Sequence, residues 1–196
     1  TLTHVTISGN MANRGGGIRL NTSHPTLIHV TIVNNMAIQF GGGMVISSSD
    51  PILTNSIIWV NSPESIYIYA GTPIITYSDI EGDTTWAGEG NINYDPLFTN
   101  TENDDYTLME GSPCIDAGII AIEDMEYCGE APDMGAYEYI TEDCVELSVT
   151  QETPLPADYQ FNPAFPNPFN PTTTISFSIP HSGITTITAY TLMGRE

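Results

Sequence analysis

Apolar and polar positions recur with one spacing along the first half of this chain. Residues 2–10 read LTHVTISGN, 27–35 LIHVTIVNN, 53–61 LTNSIIWVN and 75–83 ITYSDIEGD. Each copy opens on an apolar residue and places an isoleucine five positions later (Ile7, Ile32, Ile58, Ile80). Each closes three positions further on, with Asn10, Asn35, Asn61 or Asp83, so the closers stand 25, 26 and 22 residues apart. Within a copy, Val5 and Ile7, or Val30 and Ile32, share one face of a strand, while His4, Thr6, His29 and Thr31 share the other. The leading Leu has the opposite parity to that Ile, which requires a corner or bulge between them. Self-similarity at this period predicts a stacked-repeat architecture.

The repeat is not helical. It is rich in Val, Ile and Thr, carries Gly triplets and lacks an i, i+3, i+4 apolar face. Leucine-rich repeats need several Leu per copy, and each copy here has one at most. A parallel β-helix of about four visible coils fits. Its second strand per coil follows the glycines, Gly15-Gly16-Gly17-Ile18-Arg19-Leu20 matching Gly41-Gly42-Gly43-Met44-Val45-Ile46, with Ile66-Tyr67-Ile68-Tyr69 in the third coil. Ile18, Met44, Leu20 and Ile46 point inward. Pro25, Pro51 and Pro73 close the coils where no backbone donor is wanted. The triplets suit a tight corner or close backbone approach; a phosphate cradle would need a helix after them, and a strand pattern follows instead. Coils stacked about 4.8 Å apart place Asn10, Asn35, Asn61 and Asp83 above one another as a structural ladder.

Charge divides the chain. The net charge is −21, from 24 acids, three Arg and no Lys. Residues 1–78 hold Asp50, Glu64, Arg14 and Arg19, which cancel, whereas residues 79–158 hold 21 of the acids and no Arg. Nucleic-acid and anionic-membrane binding are disfavoured. No cofactor is expected. The acidity leaves Ca²⁺ as the one candidate ion, although no EF-hand or Asp-rich nonapeptide pattern is present, and Asp104-Asp105 and Glu123-Asp124 read as solvated loop pairs. The cysteines Cys114, Cys128 and Cys144 lack zinc spacing. In an oxidising compartment Cys114–Cys128 is the candidate disulfide, worth about 3 kcal/mol by loop entropy, with the third Cys unexplained. No transmembrane run or signal peptide is evident, and both ends read as cut, as in a fragment.

From residue 85 the texture changes. The motifs run in order: Asp95-Pro96-Leu97-Phe98, Asp105-Tyr106-Thr107-Leu108, Ser112-Pro113-Cys114-Ile115-Asp116-Ala117-Gly118 and Asp133-Met134-Gly135-Ala136-Tyr137-Glu138-Tyr139. With the preceding repeats they resemble bacterial surface proteins of the right-handed parallel β-helix type, where this closing region is termed a choice-of-anchor domain. The Gly-triplet and closing-Asn pattern is also similar to repeats of polymorphic outer-membrane proteins. The resemblance implies a scaffold and no particular activity. On physical grounds a solenoid must cover its last edge and core end, and Ile57 and Trp59 sit on the outward parity of the third coil. Residues 1–84 are therefore expected to be coils and 85–139 a cap on that end or face.

Residues 140–158 read as a linker of acids, Thr and Pro. Residues 159–196 open with Pro-spaced Phe165-Pro166-Asn167-Pro168-Phe169-Asn170-Pro171-Thr172, then alternate Ile175, Phe177 and Ile179 with Ser, a half-buried strand. Together with Tyr190-Thr191-Leu192-Met193-Gly194-Arg195-Glu196 this closely resembles the first half of a type A C-terminal sorting domain of type IX secretion substrates, a small β-sandwich. Pro166, Asn167, Pro168, Phe169, Asn170 and Pro171 carry the motif. The resemblance implies recognition by the type IX machinery and an extracellular or outer-surface location.

Enzymes also use parallel β-helices. Asp79, Glu81 and Asp83 share one parity, so Asp79 and Glu81 form a candidate carboxylate pair, without a nearby base. His4 and His29 stack without a third ligand, since Asn55 follows them, and His24 and His181 sit in turns. No catalytic or metal residue is assigned. The leading expectation is a non-enzymatic adhesion or glycan-contacting scaffold, with extracellular glycan or protein ligands. The alternative is the C-terminal end of a polysaccharide lyase or hydrolase whose catalytic coils lie upstream.

Overall fold

A computed structural model describes residues 1–141, 144, 160–161 and 177–178. The chain forms two compact units, Thr1–Val145 and Glu146–Glu196. The described elements of the first are β-strands and one 3₁₀ turn, Thr101–Asn103. Its strands are β1 (Leu2–Ser8), β2 (Met11–Arg14), β3 (Ile18–Asn21), β4 (Thr26–Val33), β5 (Met36–Phe40), β6 (Met44–Ser47), β7 (Ile52–Thr54), β8 (Ile57–Trp59), β9 (Ile66–Ala70), β10 (Ile74–Thr76), β11 (Asp79–Ile80), β12 (Phe98–Asn100) and β13 (Asp105–Leu108). Among the described residues no helix is long and apolar enough to cross a membrane.

Strands one turn apart pair in parallel, which makes a β-solenoid of about three turns. The first sheet stacks β1, β4, then β7 with β8, then β10 with β11. Its register runs Leu2, Leu27, Leu53, Ile75 and Ile7, Ile32, Ile58, Ile80, the two apolar columns of the repeat. The second sheet is β2–β5 and the third β3–β6–β9, with Met44 opposite Ile66 and Ile46 opposite Ile68. The spacing of 22 also has a structural reason. The third turn has no counterpart of β5 and touches that sheet only at Ser62, opposite Met36. Where the pattern predicted about four coils, the fourth copy builds only β10 and β11, because no Gly triplet and inward strand follow it.

The corner demanded by the change of parity is one left-handed residue per turn: His4, His29, Asn55 and Tyr77, with φ between 47° and 51°. A second such position, Gly9, Asn34 and Val60, immediately precedes each closing Asn. A single αL residue breaks a strand and redirects it without breaking the pairing on either side. At the glycine corner, Gly15 and Gly41 take positive φ. The glycines after them serve close approach: a Cβ on Gly43 would lie 2.4 Å from Ser65 O and 3.1 Å from Asn61 Nδ2.

The interior is filled by Leu20, Leu27, Val30, Ile32, Met44, Ile46, Leu53, Ile58, Ile75 and Ile80. Beside it runs the amide ladder. Asn35 Oδ1 accepts from the Asn10 amide and from Asn10 Nδ2, both at 3.0 Å, and Asn61 Oδ1 accepts from the Asn35 amide at 3.0 Å and from Asn35 Nδ2 at 3.1 Å. Each Nδ2 also donates to carbonyls, Asn35 to Ile7 and Asn61 to Ile32, both at 2.8 Å. Asp83 stands outside this ladder and is exposed. A carboxylate is acceptor-only and cannot replace the donating Nδ2.

Beyond β11 the chain folds back over the last turn. Glu89 O accepts from the Tyr77 amide, Ile92 exchanges bonds with Ser78 and Ile80, and Trp86 packs on the interior core. These residues cover the edge of the first sheet and the end of the core. In the second unit, Gln160–Phe161 (β14) pairs antiparallel with Phe177–Ser178 (β15). The motif Pro166, Asn167, Pro168, Phe169, Asn170, Pro171 lies outside the described residues, as does His181.

Replacing Asn35 by Ala removes its three donated side-chain bonds and the acceptor for Asn10, and is expected to lower unfolding free energy by about 2 kcal/mol. Asp83→Ala should change it by less than about 0.5 kcal/mol. Urea unfolding of the two variants checks this; equal midpoints would remove the ladder from the list of stabilising elements.

Candidate functional site

The outward face of the first sheet is not a solvent surface. Val33, Ile57 and Trp59 point away from the interior core and meet Phe98, Tyr106, Leu108, Cys114 and Met134 of residues 92–139, here called the flank. The contact is close at Gly135, whose φ is 99° and whose added Cβ would fall 2.8 Å from Ile57 Cδ1. The Gly135 amide donates to Asn55 O at 2.8 Å, and the Ala136 amide to Thr31 Oγ1 at 2.9 Å. The flank thus turns the outer side of the sheet into a second core, at the place where an open groove would otherwise lie.

Asp79 and Glu81 do not form a solvent-facing pair. The Asp79 side chain turns under the flank and is fully buried, accepting from Cys114 Sγ at 3.3 Å and the Tyr94 amide at 3.2 Å. Glu81 bonds elsewhere, accepting from the Val60 amide at 2.7 Å. Shared parity put both on one face; the flank then took one of them. Burial raises Asp79 from 3.8 to about 6, against the pull of its two donors. Burial, with the neighbouring Asp79 charge, also pushes the Cys114 thiol up, so it is inert as a nucleophile.

A second acidic group lies nearer the end of the flank. Asp133 is buried and accepts from the Asp116 amide at 2.8 Å and the Tyr139 amide at 2.6 Å, and burial raises it. Glu138 Oε1 accepts from the Asp133 amide at 3.0 Å, while its buried Oε2 has no partner. Burial lifts Glu138 from 4.5 to about 7. Asp116 is turned outward to the Glu130 and Ala131 amides, at 2.7 and 3.1 Å. These carboxylates act as acceptors for loop amides. Among the described residues no group of three or more His, Cys, Asp or Glu is arranged to hold a metal. The loop acids are bonded locally: Asp104 accepts from Tyr106 Oη at 2.8 Å and Asp105 from Thr107 Oγ1 at 2.6 Å.

His4 and His29 do stack, 4.9 Å between centroids and 3° from parallel. His29 is buried, and burial together with His4 lowers it to about 4, so it is neutral at pH 7. Its Nε2 lies 3.0 Å from Asn55 Nδ2, an arrangement that needs an unprotonated acceptor. Asn55 then binds the flank, Nδ2 donating to Ile119 O at 2.6 Å and Oδ1 accepting from the Ile119 amide at 3.0 Å. His and Asn occur here because both tolerate αL, and the column holds the flank in place. His24 pairs with Asp50 at an exposed turn, 3.5 Å apart.

The cysteine expectation is corrected. Cys128 bonds Cys144, and Cys114 is the free, buried thiol. Cys114 is committed to the second core beside Asp79, whereas Cys128 and Cys144 converge on Thr141. Sequence reading also missed the column in which Ser78 Oγ accepts from the Ser56 amide and Asn91 Oδ1 from the Ser78 amide, at 3.0 and 3.1 Å. Its signal was present in the Ser at the same place of two copies, two residues after Thr54 and Thr76, whose carbonyls accept from those hydroxyls.

Thiol titration of the folded, oxidised protein should find no reactive group, and one after unfolding; one reactive thiol in the folded state would overturn the placement of Cys114. The raised acids set a pH dependence. A folded pKa above the unfolded value means the fold holds protons that the unfolded chain releases, so the contribution of these acids falls as pH rises from about 4 to about 7. His29 offsets this in part, since its lowered pKa adds stability as pH rises from about 4 to its ordinary 6.5, and the net change is a fall. Asp79→Asn should flatten the lower part of this fall and Glu138→Gln the upper part. Urea melts at pH 5 and pH 8 measure it, and a wild type equally stable at both contradicts the assignment.

Compared with known proteins, the chain matches no family model, no curated protein and no solved structure.

Proposed function

We propose that this chain is part of a secreted, surface-displayed right-handed β-helix, a non-enzymatic scaffold for adhesion or glycan contact, exported by type IX secretion. The observation that carries the non-enzymatic reading is the burial of Asp79. The carboxylate that a lyase or hydrolase reading would have used is fully buried and bonded to a thiol and an amide. Around the first sheet the remaining features are structural: αL corners and a flank docked on its outer face. Stacked turns braced in this way are suited to presenting a surface. The disulfide Cys128–Cys144 is consistent with oxidising surroundings. The export reading rests on the ordered Pro-Asn-Pro-Phe-Asn-Pro run of residues 166–171 and the strand pattern after it.

The test of export uses a bacterium with type IX secretion, expressing the chain behind an export signal. The wild type is expected outside the outer membrane, and a variant with Asn167, Phe169 and Asn170 changed to Ala is expected to stay in the periplasm. Equal distribution of the two would refute the address. An absorbance screen for uronate cleavage addresses the scaffold reading: activity that disappears in Asp79→Asn or Glu81→Gln would make the chain an enzyme.

A further inference from the structure

Two outward columns meet at the glycine corner between the second and third sheets. Arg14 stands in register with Phe40, and Arg19 with Val45 and then Tyr67. Across the corner the columns join as a stack. The Arg14 guanidinium lies 4.8 Å from the Phe40 centroid, and Tyr67 stacks on Phe40 at 4.4 Å with 25° between planes. Tyr69 meets Phe40 and Tyr67 edge-on at 5.6 and 5.5 Å and is 61% exposed. Arg14 and Tyr67 occupy Phe40, but β9 is the last strand of its sheet, so no further strand stacks over Tyr67.

The charges at this corner are unusual for this chain. Arg14 and Arg19 are the two Arg or Lys side chains among the described residues, in a sequence of net charge −21. With 24 acids in the chain, neither is paired with a carboxylate among the described residues, where the one ion pair is His24–Asp50. Arg14 Nε donates instead to the neutral Gln39 Oε1 at 2.6 Å. Glu64, at the same corner, commits Oε1 to the Gly41 amide at 2.9 Å. Arg14, seated on the aromatic cluster, and exposed Arg19, in the register column that ends at Tyr67, are where an anionic ligand meets least repulsion and finds bidentate donors.

We propose that this corner binds one acidic sugar residue carried on an otherwise neutral glycan. The rings of Tyr67 and Tyr69 take the apolar face of the sugar, Arg19 and Arg14 take its carboxylate or sulfate, and Gln39 lies beside them for a hydroxyl. Two observations set the ligand class. The rings form one compact cluster, with Phe40, Tyr67 and Tyr69 centroids within 5.6 Å of one another and Tyr69 its exposed member, a patch that suits a single sugar ring. A dense polyanion such as nucleic acid needs many cationic contacts, and the acidic remainder of the chain repels it. The inference rests on the glycan-contacting reading above and gives that reading a site.

Calorimetric titration with a neutral oligosaccharide ending in glucose, and with its glucuronate-ended and sulfate-ended counterparts, tests it. At least one acidic form is expected to bind about tenfold or more tighter than the neutral form, with the carboxylate and sulfate arms separating the two anions. Arg19→Gln together with Arg14→Gln should abolish that preference, and Tyr69→Ala should weaken acidic and neutral forms alike. Tyr69 and Arg19 are exposed, so their variants test the site without disturbing the core. Acidic binding unchanged in both variants, or no preference for acid, overturns the site while leaving glycan contact elsewhere intact. No binding of any member of a broad oligosaccharide panel overturns both the site and the reading beneath it.

Discussion

One amide side chain ties three turns of this protein together. Asn35 accepts from Asn10 below it, donates to Asn61 above it, and closes a carbonyl of its own turn and one of the preceding turn. In a parallel solenoid every turn must repeat the geometry of the last, or the pairing between turns is lost. Corners are where that repetition is hardest to hold, because backbone groups there have no strand partner. An Asn at the same corner of successive turns supplies both donor and acceptor at one strand spacing. The glycines of the next corner then approach close enough to exclude any Cβ. A fold of few turns and modest core becomes regular because its corners are specified chemically.

The flank solves a different problem. The first sheet has an apolar outer face at Val33, Ile57 and Trp59, and apolar surface of that extent favours burial. Covering it creates a second core on the far side of the same strands. Burial there takes Asp79, Asp133 and part of Glu138 out of water, and the chain answers with loop amides and a thiol rather than with cations. The carboxylates remain underpaired, so their protons are held more tightly than in water. Docking of the flank and protonation of its acids are therefore linked.

The glycine corner joins structure to the proposed binding role. The same residues that let neighbouring turns approach also bring Arg14, Phe40 and Tyr67 from separate strands into one cluster, with Arg19 in the register column of Tyr67. A chain this acidic would be expected to pair its few cations internally. Arg14 is set against Phe40 and the neutral Gln39 amide instead, and Arg19 is exposed, which keeps their charge available to a ligand.

The repeat alone determined most of the solenoid. An apolar residue, an Ile five places on and an Asn three places after that are local periodicities, and parallel stacking converts them directly into columns, as Leu2, Leu27, Leu53 and Ile75 do. The inward strands after the glycines and the coil-closing prolines were legible for the same reason. Tertiary structure decided what periodicity does not encode. Parity placed Asp79 outward, yet whether outward meant water or the flank depended on contacts made by residues 15 and 35 positions away, Tyr94 and Cys114. Pairing of the cysteines depended on which one the second core absorbed. His29 looked like half of a metal site because ring spacing is visible in a repeat, whereas the left-handed backbone that selects His and Asn there appears only when the strand is seen to bend.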